Sequence, residues 1–308
     1  MKKISIIGAG RVGESTAHNL AKAELCHEIA LIDIKEGVPQ GTALDIQESA
    51  PVFGFDTTLS GHNNLSAMAR SDLIIITAGL PRKPGMSRSD ILDVNVPIIA
   101  SIVDEAKNSA PDAMIIMVTN PVDVLTYVAW KRTGWDRRRV LGLSGVLDST
   151  RMASFVAMET GFSVKDISAM VLGGHGDTMV PLPRYTCING IPISHFLSPD
   201  QIKRLAQRTR EGGAEILALR KTSSAYDAPA AAVATMVDAI RHDRKRILPC
   251  VAILDGEYGQ KGICMGVPVI LGDHGMEKVV ELDLNKEEKA EFNGSAEHVR
   301  ADLARLKF

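Results

Sequence analysis

The strongest constraint on this chain lies in its first 23 residues. A β-branched apolar run, Ile4–Ile7, leads into Gly8-Ala9-Gly10-Arg11-Val12-Gly13, and a helix-like stretch follows to about Ala23. A glycine pattern of this kind says little alone, but between a strand and a helix each glycine has a purpose. Gly8 permits a tight turn, Gly10 lets backbone approach a pyrophosphate, and Gly13 lets the helix pack closely on the strand. The helix N-terminus adds unpaired N–H groups and a positive dipole end. Gly8, Ala9, Gly10, Arg11, Val12 and Gly13 are thus candidates to hold a dinucleotide. A glycine turn that holds no nucleotide is the competing explanation.

Asp33 falls at the end of the next β-prone run, Ala30–Ile34, about 20 positions past Gly13. A carboxylate there pairs with adenosine ribose hydroxyls and repels the additional phosphate of NADP, so NAD is the expected cofactor. Lys35 stands close enough in sequence to offset part of that repulsion. No G-x-x-x-x-G-K-[ST] segment competes for phosphate.

Further along, Leu73–Thr77 and Met114–Thr119 are continuous apolar runs flanking a long helical pattern, Ser89–Asn108. Apolar strands without alternation suit a parallel sheet covered on both faces. The first half is therefore expected to form a Rossmann doubly wound parallel sheet, within an α/β chain. The pattern changes near Gly145. After it come Ile167–Leu172 as a strand, a hairpin signal at Asn189-Gly190, and a helix start at Ser198-Pro199-Asp200 leading into Gln201–Leu219. A helix at Ala228–Ile240, strands at Ile247–Leu254 and Ile263–Leu271, and a closing helix at Lys286–Lys307 follow. This half is expected to be α+β with antiparallel strands. The domains are placed at 1–145 for NAD and 146–308 for catalysis and substrate.

Composition excludes several classes. A net charge of −2 gives no field for nucleic acid or a membrane surface. Nowhere do about 18 apolar residues run together, so no spanning helix is expected. The start, MKKISIIGAGRVG, has too short an apolar run for a secretory leader. Cys26, Cys187, Cys250 and Cys264 are widely spaced and expected to be reduced thiols of a cytoplasmic protein, so the Asn293-Gly294-Ser295 sequon is expected to be unused. No cluster has the spacing of metal ligands.

His175, in Leu172-Gly173-Gly174-His175-Gly176-Asp177, has the most unshielded imidazole of the eight histidines. On residue chemistry alone it is as readily a strand-end histidine in a turn as a proton carrier. Arg82, Lys83 and Arg88 likewise read alone as a solvated basic loop. His18 and His242 sit in ordinary helical and basic surroundings.

Thr77–Arg88 (TAGLPRKPGMSR), Val118–Asp123 (VTNPVD), Gly145–Met152 (GVLDSTRM) and Gly173–Pro181 (GGHGDTMVP) together resemble the lactate/malate dehydrogenase family, in its malate-specific, lactate-dehydrogenase-like branch. The resemblance spans nearly the whole chain in order. It implies that His175 is the catalytic histidine and Asp148 its partner. It also implies that Arg151 clamps the C1 carboxylate, Arg88 polarises the reacting C–O bond from a mobile loop, and Arg82 sets specificity. Asn120 would serve cofactor and substrate, and Asn95 and the Val118 backbone would touch the cofactor. Pro81, Pro84 and Gly85 suit a lid between a strand and a helix.

These roles fit the chemistry. Oxidising a 2-hydroxy acid needs a hydride acceptor and a base titrating near neutrality. A guanidinium matches a carboxylate in bidentate geometry. In the family's lactate-specific members an uncharged residue stands where Arg82 does, so the resemblance implies malate/oxaloacetate over lactate/pyruvate. A monocarboxylate would leave the Arg82 charge desolvated and unpaired. Ala225 aligns where a small residue gives that arginine room, whereas Asp227 departs from the aromatic often found there.

A non-catalytic NAD-binding redox sensor is the alternative from another class, with lactate dehydrogenase the alternative within the family. A sensor would keep the glycine loop and Asp33 without needing His175, Asp148, Arg82, Arg88 and Arg151. The branch resemblance also implies a homo-oligomer, a tetramer in preference to a dimer. The apolar faces of Gly13–Ala23 and Ala228–Ile240 are the expected contacts between copies.

Overall fold

The computed structural model describes residues 1–80 and 88–306, without the side chains of Arg88 and Ser89. The chain runs β1 (Lys3–Ile7), α1 (Arg11–Lys22), β2 (Glu28–Ile32), α2 (Val38–Glu48), α3 (Ala50–Phe53), β3 (Thr58–His62), β4 (Leu73–Ile76), α4 (Arg88–Ser109), β5 (Met114–Met117), α5 (Val122–Thr133) and β6 (Val140–Gly142). It continues α6 (Gly145–Thr160), β7 (Ile167–Ser168), β8 (Val171–Leu172), β9 (Val180–Pro181), β10 (Cys187–Ile188), β11 (Ile191–Pro192), α7 (Pro199–Arg220), α8 (Asp227–Arg241), β12 (Arg246–Asp255), β13 (Lys261–Gly272), β14 (Gly275–Val279) and α9 (Lys286–Leu303). Two compact units result. The first comprises Met1–Leu143, Tyr226–Arg246 and Ile270–Lys278; the second comprises Ser144–Ala225, Ile247–Val269 and Val279–Phe308.

The first unit is built on parallel strands in the order β3-β2-β1-β4-β5-β6. In β1, Ile4–Ile7 pairs with Ile29–Ile32 on one side and Leu73–Ile76 on the other. These strands lack polar alternation because both faces are covered, and Ile4, Ile6, Ile29, Leu31, Leu73 and Ile74 have no exposed surface. The order reverses between β1 and β4, which opens a crevice at their carboxyl ends where ligands bind in such sheets. The doubly wound expectation is met. Strand β3 has no apolar run in TLSGH to announce it; its backbone extends the ladder of β2, and Gly61 lies directly under Pro39 and Gln40 of α2.

One expectation needs correction. Helix α8 packs on α1 within the first unit. Ala17, Leu20 and Ala21 of α1 and Val233, Met236 and Val237 of α8 are buried within the single chain. Each helix has one apolar stripe, and here it is covered within the chain, so those buried side chains are not the ones a second copy would meet. The large apolar side chains left exposed in the first unit include Ile34, Val38, Leu44, Val52 and Phe53.

The second unit has the expected α+β character, with short antiparallel ladders β7-β10-β11 and β8-β9. Asn189 and Gly190, at φ +48° and +80°, form the two-residue turn that pairs Ile188 with Ile191. The expected single strand Ile167–Leu172 is instead two, β7 and β8, which join different ladders. The core gathers Met152 and Val156 of α6 with Val171, Ile188, Ile193 and Leu205. Capping boxes start α7 at Ser198 with Gln201 and α9 at Asn285 with Glu288. All four cysteines are free thiols. Among the described residues no helix is long and apolar enough to cross a membrane.

Candidate active site

The nucleotide-binding candidates come together in the first unit. Gly8 has φ +105°, and a Cβ there would lie 2.7 Å from Ala78 N, so only glycine fits without displacement. A Cβ on Gly13 would lie 1.9 Å from Gly8 O, which explains why the first turn of α1 carries glycine at that point. Gly10 caps α1 with no side-chain hydrogen bond, is exposed, and has no atom near the space its Cβ would take. That open backbone and the helix N-terminus suit a pyrophosphate. Arg11 places its guanidinium over the Tyr226 ring at 5.8 Å, and Val12 is half-buried.

Asp33 lies one residue beyond β2. Its Oδ2 accepts a hydrogen bond from Ala9 N at 2.9 Å, and its Oδ1 accepts one from Lys35 N at 2.9 Å. The carboxylate therefore braces the glycine loop. Lys35 meets Asp33 through its backbone N–H. The glycine cradle and this carboxylate fit a dinucleotide.

Asn95 has no exposed surface. Its Oδ1 accepts from Leu80 N at 2.8 Å, and its Nδ2 donates to Leu80 O at 3.2 Å and Asn120 O at 3.0 Å. The side chain thus fastens the Leu80 backbone to that of Asn120, whose own side chain is exposed. The Val118 N–H is donated to Ile76 O at 2.9 Å. Arg82, with Pro81, Pro84 and Gly85, lies outside the described residues, as does the side chain of Arg88.

In the second unit, α6 presents Asp148 and Arg151 three residues apart on one face. Asp148 is buried. Its Oδ2 lies 2.8 Å from His175 Nδ1, and its Oδ1 accepts from Arg151 Nη1 at 3.0 Å. Arg151 Nε is also buried and has no acceptor among the described residues. The guanidinium can therefore bind Asp148 on one side and still offer donors to a carboxylate. Gly212 and Gly213 of α7 lie against this side chain; a Cβ at Gly212 would sit 3.2 Å from Arg151 Cδ.

Several residues that fix the His175 turn carry no sequence signal. Ser149 Oγ accepts from Val171 N at 3.0 Å. Gly173 and Gly266 exchange backbone hydrogen bonds of 2.8 and 3.0 Å. Ser295 Oγ accepts from Gly174 N at 2.9 Å. Elsewhere, carboxylates of Asp243, Asp273 and Glu277 cluster near the surface, with Lys245 bonded to Asp243 and Glu277.

Comparisons with known proteins agree along the whole chain. A family model described as the lactate/malate dehydrogenase NAD binding domain matches residues 2–142, and one for the family's alpha/beta C-terminal domain matches residues 145–307. A protein named malate dehydrogenase from Nitrosococcus oceani is 64% identical over 306 residues, covering 99% of this chain and 98% of the relative. The solved malate dehydrogenase of Salinibacter ruber shares 46% identity at a TM-score of 0.94, covering 98% of this chain and 96% of that one. A lactate dehydrogenase of Cryptosporidium parvum, solved with lactic acid and nicotinamide adenine dinucleotide, shares 38% identity at a TM-score of 0.95 and 99% coverage of both chains. Solved proteins of both names thus share this backbone. The chain belongs to the lactate/malate dehydrogenase family.

Proposed function

We propose that the chain is an NAD-dependent malate dehydrogenase, interconverting (S)-malate and oxaloacetate. The observation that carries this reading is the Asp148 carboxylate shared between His175 and Arg151. A carboxylate on Nδ1 fixes the tautomer in which Nε2 carries the lone pair of the neutral ring, and it stabilises the imidazolium once formed. His175 Nε2 takes the hydroxyl proton during malate oxidation and returns it to the carbonyl oxygen in reverse.

NAD, when bound, supplies the hydride acceptor. Gly8–Gly13 and Asp33 hold its phosphates and ribose, with Asn95, Val118 and Asn120 alongside, in the 1–145 half. The 146–308 half contributes His175 and Arg151 to the dicarboxylate site. Arg151 clamps the C1 carboxylate through the guanidinium edge that includes Nε. Arg88 polarises the reacting C–O bond, and Arg82 pairs with the second carboxylate. Because Asp148 already holds Nη1, Arg151 is oriented before substrate arrives and loses little freedom on binding.

The protein is further inferred to be a cytoplasmic homo-oligomer, a tetramer in preference to a dimer, serving the tricarboxylic acid cycle. The exposed apolar residues of α2 and α3 support self-association, and the four free thiols support a reducing compartment. The test is NADH consumption with oxaloacetate and with pyruvate. A kcat/KM far higher for oxaloacetate is expected; equal values, or no turnover of either, would refute the reading.

A further inference from the structure

We propose that Ser295, on α9, is a positioning residue that holds His175 in register with Asp148 by fixing both sides of the turn that carries the histidine. Its hydroxyl accepts the Gly174 N–H at 2.9 Å and donates to Thr178 Oγ1 at 3.1 Å. One atom therefore ties the residue before His175 to the residue three positions after it. Ser295 is 1% exposed, so water does not substitute for these bonds.

The turn is built tightly around that hydroxyl. Gly173 sits at φ +87°, and a Cβ on it would come within 3.1 Å of Ser295 Oγ. A Cβ on Gly174 would lie 3.1 Å from Val299 Cγ2 and 3.3 Å from Ser295 Oγ. The glycines before His175 thus let the backbone come down onto α9. Ser149 ties β8 to the helix that bears Asp148, and Gly266 holds Gly173 from β13. Ser295 then anchors the backbone immediately after Gly173. Asp148 is bonded to His175, and Arg151 is bonded to Asp148. Ser295 and Thr178 are neutral, so replacing either changes geometry and not local charge.

The inference rests on His175 being the proton carrier, and its test separates the two ideas. Ser295→Ala removes both bonds and leaves a buried Gly174 N–H without its acceptor. With oxaloacetate, kcat should fall by about 10-fold to 10²-fold, as expected for a misplaced catalytic group, while the NADH Kd stays unchanged. The imidazole of His175, followed by NMR in isotope-labelled protein and assigned with His175→Asn, should titrate at lower pH than in the native chain because its imidazolium is less well supported by Asp148. Ser295→Thr, which keeps the hydroxyl, should restore much of both.

A folded Ser295→Ala protein with native kcat and native His175 titration overturns the proposal, even if its Tm is lower. If Ser295→Ala does not fold, Thr178→Val decides by the same two readouts: a shift in both supports the proposal, and native behaviour overturns it. If the native protein fails to turn over oxaloacetate, the proposed reaction fails, and the NMR titration alone still decides whether Ser295 positions His175.

Discussion

Asp148 Oδ2 lies 2.8 Å from His175 Nδ1 across 27 positions of chain, while the other oxygen of the same carboxylate holds Arg151. A single buried group thereby holds both the proposed base and the proposed anion clamp. Asp148→Asn should therefore harm two functions at once. The expected result is kcat lower by about 10²-fold or more together with a raised KM for oxaloacetate, because Arg151 loses its anchor. A fall in kcat with KM unchanged would show that the Arg151 bond is not used.

Arg82→Gln should depress kcat/KM for oxaloacetate by about 10²-fold or more while leaving pyruvate turnover much less affected, since a site built to pair a second carboxylate discriminates strongly. Steady-state assays with both keto acids give the answer. An equal fall for both would remove Arg82 as the selector.

Gly13→Ala should lower both stability and NADH affinity. The added methyl would sit 1.9 Å from Gly8 O, against backbone that cannot yield cheaply. Overpacking of this kind costs about 1–3 kcal/mol, so thermal unfolding should show a clear drop in Tm. Gly10→Ala meets no atom and should unfold close to the native temperature while binding NADH more weakly.

Asp33→Ala removes the proposed ribose acceptor and the brace on Ala9. NADH should bind about 10-fold more weakly or worse, the value of one hydrogen bond to a charged group, and the preference over NADPH should narrow. Fluorescence titration with both cofactors measures it. An unchanged preference would mean that selectivity lies elsewhere.

Burial pushes the Cys26 thiol up to about 12, and complete burial raises that of Cys250 further. Only the thiolate reacts with an alkylating agent, so at pH 8 both should resist iodoacetamide in the native protein. Half-buried Cys187 should label before them, and all four should label after denaturation. Mass spectrometry of timed samples reports the order; early modification of Cys250 would contradict the buried position.

Where local chemistry decides the structure, the sequence is informative. Gly8, Gly13 and the Asn189-Gly190 turn need backbone conformations or close approaches that few residues allow, and their neighbours announce the strand and helix types. Strand β3 is less legible because TLSGH has little apolar content and takes its place from pairing with β2. The run Ile167–Leu172 looks continuous, yet Ala169 and Met170 separate two ladders. Ser149 and Ser295 stayed hidden for another reason. A serine in a helix is ordinary until its partner 22 or 121 positions away is known. Likewise, nothing in the spacing of Asp148 and Arg151 distinguishes a surface ion pair from a shared carboxylate beneath a histidine.

The return of α8 to the first unit has a consequence for how the protein is made. Helix α1 leaves the ribosome long before the helix that covers its apolar stripe, which is encoded some two hundred residues later. Contacts so distant in sequence are closed late and slow folding. Until α8 emerges, a nascent chain shows Ala17, Leu20 and Ala21 to the surroundings, a surface that invites chaperones or aggregation. A fragment cut at residue 145 would keep the glycine loop yet lack that cover, so the nucleotide-binding half is not a separable module despite its continuous sequence motif.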